Sequence, residues 1–143
     1  MSHYLLDVNV LIALHSPSHG SFREVQRWFS NEGVHKFATC ATTECGFIRV
    51  SAQLSAEANV GLEEAKFALA TLLKNPRHTF WTSSVAFLDA TKALESRIHG
   101  HRQITDAYLL GLAIHHKGKL ATLDRAIVYL AGSEFAEYVE LIQ

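Results

Sequence analysis

From Ala107 to Ile114 the chain runs Ala-Tyr-Leu-Leu-Gly-Leu-Ala-Ile with no charged side chain, and Asp106 stands directly before it. A helix without a charged face has to be covered by the rest of the protein. The stretch therefore predicts a buried helix with a carboxylate at its start, at the mouth of the core. Three other acids stand at comparable places. Asp7 follows the apolar run Tyr4-Leu5-Leu6, Asp124 follows Leu120-Ala121-Thr122-Leu123, and Glu44 precedes Cys45-Gly46-Phe47-Ile48.

Around these acids, short apolar runs alternate with helical spacing. Strands are predicted at Tyr4–Leu6, Lys36–Thr39, Thr79–Thr82, Leu120–Leu123 and Tyr138–Ile142. Helices are predicted at Val8–Leu14, from about Ser21 to Asn31, at Thr42–Gln53, at Phe87–Ile98 and at Arg125–Leu130. Another is marked by Leu62, Ala65, Leu69, Leu72 and Leu73 and ended by Asn75-Pro76. The helix after Asp106 is closed by Lys117-Gly118-Lys119, and His15–Gly20 and His99–Arg102 read as loops. Strands alternating with helices predict an α/β fold, with a mostly parallel central sheet and helices on both of its faces.

A chain of 143 residues with 48% hydrophobic and 19% charged content is expected to form one domain over residues 1–143. No apolar run is long enough to cross a bilayer, and no basic-then-apolar leader opens the chain, so a cytoplasmic location is expected. The two cysteines, Cys40 and Cys45, do not make a disulfide framework, and no Cys/His quartet completes a zinc site around them. With a net charge of −1, a nucleic-acid partner would have to be gripped by a local basic patch.

Each acid has a plain structural reading, since Asp is a favoured N-cap and acids in a first helical turn are stabilised by the macrodipole. What joins the four is position. In an open parallel sheet these places all lie at the carboxyl edge, where ligands bind at the topological switch point. Four carboxylates gathered there would repel one another, each ionised pair by about 4 kcal/mol at about 4 Å and an effective dielectric near 20. Such a group needs bound cations or partial protonation. All-oxygen ligands favour Mg²⁺ or Mn²⁺, and the chemistry that follows is metal-assisted phosphodiester hydrolysis.

The segments Leu6-Asp7-Val8-Asn9-Val10-Leu11, Thr43-Glu44, Thr105-Asp106-Ala107-Tyr108-Leu109 and Ala121-Thr122-Leu123-Asp124 resemble the successive motifs of PIN-domain ribonucleases, in particular the VapC-type toxins of bacterial toxin–antitoxin pairs. The resemblance spans nearly the whole chain. It implies a PIN-like three-layer α/β/α fold and an endoribonuclease dependent on Mg²⁺ or Mn²⁺. Asp7, Glu44, Asp106 and Asp124 would be its metal-binding catalytic acids, with Asn9 and Thr122 supporting the site. It also implies a homodimer, and a small VapB-like antitoxin that blocks the site and binds operator DNA.

Other residues carry lesser expectations. Arg97 and Arg102, flanking His99-Gly100-His101, could grip RNA phosphates or belong to an ordinary solvated loop. His115-His116 would complement the dipole at a helix end. Arg49 would face either the site or solvent, and Trp28, Phe29 and Phe47 are expected in the core. Two rival functions remain. An aspartyl phosphatase or phosphotransferase would need Asp-x-Asp where this chain has Asp7-Val8-Asn9. A non-catalytic domain that binds RNA or protein would keep the acids as caps.

Overall fold

The computed structural model describes residues 3–31, 36–54 and 61–143. Five strands form one sheet: β1 (Tyr4–Leu6), β2 (Phe37–Thr39), β3 (His78–Phe80), β4 (Lys119–Thr122) and β5 (Val139–Leu141). Their order is β3-β2-β1-β4-β5, and every pairing is parallel. The helices are α1 (Val8–His15), α2 (Phe22–Asn31), α3 (Ala41–Leu54), α4 (Leu62–Leu73), α5 (Phe87–Thr91), α6 (Ile104–His115) and α7 (Arg125–Ala131).

Period-two alternation along the strands feeds two separate cores. Tyr4, Leu6, Phe37 and Ala121 point to one face, where they pack with α1, Val25 and Trp28 of α2, Phe47 of α3 and Leu72 of α4. Leu5, Ala38 and Leu120 point to the other, against Leu109, Leu110 and Leu112 of α6 and Ile127 and Leu130 of α7. The result is three layers, helices on both faces of a parallel sheet, as the sequence pattern predicts. The uncharged stretch is buried as expected: Ala107 and Leu109 to Ala113 are all covered. Gly111 is required there, because a Cβ would collide with the carbonyl of Ala90 in α5. Trp28 and Phe47 are core and Phe29 is half-buried. Both cysteines are free, Cys40 buried and Cys45 exposed.

Two expectations hold only in part. The helix predicted over Phe87–Ile98 is α-helical only to Thr91, and Lys92–Arg97 is a 3-10 turn. The hydroxyl of Thr91 donates back to the carbonyl of Phe87 at 2.9 Å, a bond that tends to bend helices. A three-residue period then places Thr91, Leu94 and Arg97 on one side, where the first two are buried and Arg97 is half-buried. The loop predicted at His99–Arg102 is exposed throughout and is a loop at His99 and Gly100, but not at its end. A 3-10 turn at His101–Gln103 leads straight into α6. The Gln103 side chain pins it, accepting from the His99 backbone N–H at 2.6 Å and donating to the Arg97 carbonyl at 3.3 Å.

Candidate active site

The strand order reverses at β1, whose neighbours β2 and β4 are followed outward by β3 and β5. The crevice beyond the carboxyl ends of β1 and β4 is the switch point of this sheet. Asp7 follows β1 directly and Asp124 lies two residues beyond β4.

Asp7 is 7% exposed. It caps α1, accepting from the Val8 N–H at 2.8 Å with one oxygen, and accepts from the Thr122 hydroxyl at 2.9 Å with the other. Thr122 is fully buried, and its oxygen accepts in turn from the Asp124 N–H at 3.0 Å. One hydroxyl at the end of β4 thus ties the two acids together. Asp124 caps α7, accepting from the Ala126 N–H at 2.9 Å. Asp106 is different. It sits in the first turn of α6, whose N-cap is Gln103, and among the described residues nothing donates a hydrogen bond to it. The plain capping reading thus holds for Asp7 and Asp124 and fails for Asp106.

Electrostatics joins these three. Burial raises the Asp106 carboxyl from the usual 3.8 to about 6, and the charges of Asp7 and Asp124 push the same way. Burial also raises Asp7, opposed by the hydrogen bonds from Thr122 and Val8 and reinforced by Asp124. Asp124 acts on both Asp7 and Asp106, and Asp7 acts on Asp106, so the three carboxyls lie within reach of one another.

Glu44, in the first turn of α3, is held one strand away. Its Oε2 accepts from the hydroxyl of Thr39 at 2.6 Å, and that hydroxyl lies 2.8 Å from Nε2 of His78. The four acids therefore occupy the same edge but do not close on one point. Among the described residues, no three His, Cys, Asp or Glu side chains are placed to hold a single ion together. The donor chemistry nevertheless fits a hard cation: all the candidate ligands are carboxylate oxygens, and Asp106 accepts no hydrogen bond among the described residues and is raised by burial and then by its neighbours' charge. Mg²⁺ keeps several of its waters and takes as few as one or two carboxylates directly.

The remaining candidates fall into place around this group. Asn9 is exposed near the start of α1 and lines an open pocket with His19, Ser21, Leu123 and Asp124. Arg49 is exposed and lines a cavity of about 360 Å³ with Val8, Thr42, Cys45 and Thr105, the residue before Asp106. Arg97 lies 3.6 Å from Glu134 and packs beneath Gly132, whereas Arg102 is exposed. His116 does not act as a helix-end cation. Its ring stacks on Trp81 at 4.3 Å, and burial followed by the neighbouring His115 lowers its pKa. Thr39 and His78 escape sequence reasoning altogether. His78 carries no helical or strand periodicity that links it to Glu44, and only the pairing of β2 with β3 brings them together.

The fold and site define a three-layer α/β domain with a parallel sheet and acids at its switch point, and residues 4–132 match the family described as the PIN domain. Ribonuclease VapC44 of Mycobacterium tuberculosis is 37% identical over 127 residues, covering 89% of each chain. Ribonuclease VapC39 of the same organism is 36% identical over 139 residues, covering 96% of this chain and 98% of that one. The chain belongs to the PIN-domain family and, within it, to the VapC-type proteins. Solved structures share the fold at lower identity. FitAB bound to the IR36 DNA fragment superposes with a TM-score of 0.60 at 18% identity, over 90% of each chain. VapBC2 of Rickettsia felis, bound to a promoter DNA fragment, gives 0.59 at 15% over 99% of each.

Proposed function

We propose that this chain is a Mg²⁺- or Mn²⁺-dependent endoribonuclease, the toxin of a toxin–antitoxin pair, acting as one domain over residues 1–143. The observation that carries the proposal is the meeting of Asp7, Asp106 and Asp124 at the switch point, where burial and then the charges of Asp7 and Asp124 raise the Asp106 carboxyl. The ribonuclease names of the VapC relatives support RNA as the substrate. The FitAB and VapBC2 complexes support a small VapB-like antitoxin as partner. We further take the toxin to be a cytoplasmic homodimer; among the described residues no helix is long and apolar enough to cross a membrane.

Asp7, Glu44, Asp106 and Asp124 would hold the metal, directly or through water. A divalent ion bound there would supply Lewis-acid stabilisation and a water that ionises near neutral pH. Within the chain, Asp7 is the immobile acid, locked by Val8 and Thr122. Thr122 also keeps Asp124 in register with it. Hydrolysis forms one P–O bond from water and breaks another, and a proton must pass from the water to the leaving oxygen. Asp106, whose oxygens accept no hydrogen bond among the described residues, would be free to take the ion or a water bound to it, and the cation's charge would keep it ionised. Arg49, over the groove beside Thr105, is placed to bind an RNA phosphate. A non-catalytic reading explains Asp7 and Asp124 as caps but gives no role to the half-buried Asp106, which caps nothing.

The test is cleavage of a defined RNA by purified protein with Mn²⁺, against the same reaction in EDTA. Mn²⁺ at ten times its dissociation constant should also stabilise the fold by roughly 1.4 kcal/mol, a rise of about 3–6 °C for a domain of this size. Undiminished cutting in EDTA would refute the metal mechanism.

A further inference from the structure

We infer that Thr39 and His78 are positioning residues that set the orientation of the Glu44 carboxylate through a His–Thr–Glu chain of hydrogen bonds. The inference rests on the reading of Glu44 as an acid of the metal site. Thr39 ends β2 and is fully buried. Its Oγ1 lies 2.6 Å from Glu44 Oε2 and 2.8 Å from His78 Nε2. A hydroxyl has one proton to give, and an ionised carboxylate can only accept. The Thr39 proton therefore goes to Glu44, and Thr39 must accept from an N–H on His78 Nε2. That assigns the tautomer of the ring.

One ring contact steadies the imidazole. His78 pairs with Phe37 in the β2–β3 register, and its ring packs on the Phe37 ring at 5.4 Å. The chain of bonds thus runs from β3 through β2 to the first turn of α3. Glu44 and His78 are both half-buried and could bond to water instead. Thr39 joins them at a point water does not reach, where hydrogen bonds are stronger and reinforce one another. With Oε2 committed to Thr39, Oε1 accepts no hydrogen bond among the described residues and is the oxygen left for a ligand. Partners of this kind to metal-binding carboxylates orient the ligand, and losing them costs about 10–100-fold in metal affinity or activity.

The experiment compares wild type with Thr39→Val, Thr39→Ser, His78→Leu and His78→Gln in the full chain. Three quantities are read: metal-free melting, the Mn²⁺ dissociation constant by calorimetry, and kcat and KM on a single-stranded RNA. Thr39→Val and His78→Leu should weaken Mn²⁺ binding by about 10–100-fold and lower kcat with KM for RNA little changed. Thr39→Ser keeps the hydroxyl, and His78→Gln keeps an N–H donor at similar reach, so both should retain most of the affinity. If Thr39→Val does not fold, His78→Leu on the edge strand decides. Folded variants lacking the donor that bind Mn²⁺ as tightly as wild type overturn the inference and leave the metal reading standing. A wild type that binds no Mn²⁺ overturns the metal reading, and this inference with it.

Discussion

Asp106 concentrates the physics of the site in one carboxyl. It neither caps α6 nor accepts a hydrogen bond among the described residues, yet it is carried into a half-buried place beside two other acids. With the usual value at 3.8 and Asp106 at about 6, the folded protein holds a proton in that interval that the unfolded chain has released. Stability from this group is therefore fully present below the unfolded value and lost as pH rises through the folded one. At pH 7.5 the metal-free protein bears the whole repulsion. Metal-free Asp106→Asn should then melt at or above wild type at pH 7.5, with a smaller difference between pH 5 and pH 7.5, while losing Mn²⁺ binding and cleavage. Asp7→Asn should fare worse, because both Asp7 oxygens accept hydrogen bonds and an amide has only one acceptor. Calorimetric scans of the three proteins without metal give the answer; an Asp106→Asn variant that melts well below wild type at pH 7.5 would mean the carboxylate is not under strain.

Helix ends are where element-scale forces show. The carboxyl end of α6 closes in a Schellman arrangement, with the Gly118 N–H on the Ala113 carbonyl at 2.9 Å and the Lys117 N–H on that of Ile114 at 3.0 Å. The Lys117-Gly118 pair reads in the sequence as a glycine-ended helix, but the left-handed residue is Lys117, with φ 56°. Gly118 is needed for another reason: a Cβ there would stand 2.7 Å from the His3 carbonyl and from the Trp81 ring. Left-handed backbone costs an L-residue roughly 1–2 kcal/mol, and glycine returns part of that through its unfolded-state entropy. Lys117→Gly should therefore stabilise the protein by about 0.5–1 kcal/mol, seen as a higher urea midpoint with an unchanged m-value. A lower midpoint would show that the Lys117 side chain holds something that its exposure does not suggest.

At the scale of the whole molecule, a net charge of −1 offers RNA no general attraction, so affinity has to come from single cations near the site. The two arginines before α6 are unequal: Arg97 is engaged with Glu134 and packs beneath Gly132, and Arg102 is exposed with no ion pair among the described residues. Arg49 stands over the groove that opens beside Thr105. Arg49→Ala should lower the slope of log K against log salt for single-stranded RNA by about 0.7, one phosphate contact's share, while Arg97→Ala should leave it nearly unchanged. Filter binding across a salt series measures both slopes, and equal slopes for wild type and Arg49→Ala would remove Arg49 from the RNA path.

Much of this architecture was legible in the chain because the signals are local. Apolar runs of strand length, helical spacing between them and acids at the junctions predict a parallel sheet with helices on both faces, and the positions of Asp7 and Asp124 follow from where apolar runs end and that of Asp106 from where one begins. What tertiary structure alone decided lies between segments far apart in sequence. Leu94 and Arg97 are drawn inward by packing, which converts a predicted α-helix into a 3-10 turn. Thr122 reaches Asp7 across 115 residues, and His78 reaches Thr39 across 39, through strand register that no local pattern encodes. The acids mark the edge of the sheet by themselves. Which hydroxyl holds which carboxylate depends on how strands pair, because a hydrogen bond of 2.6–2.9 Å is set by three-dimensional register and not by spacing along the chain.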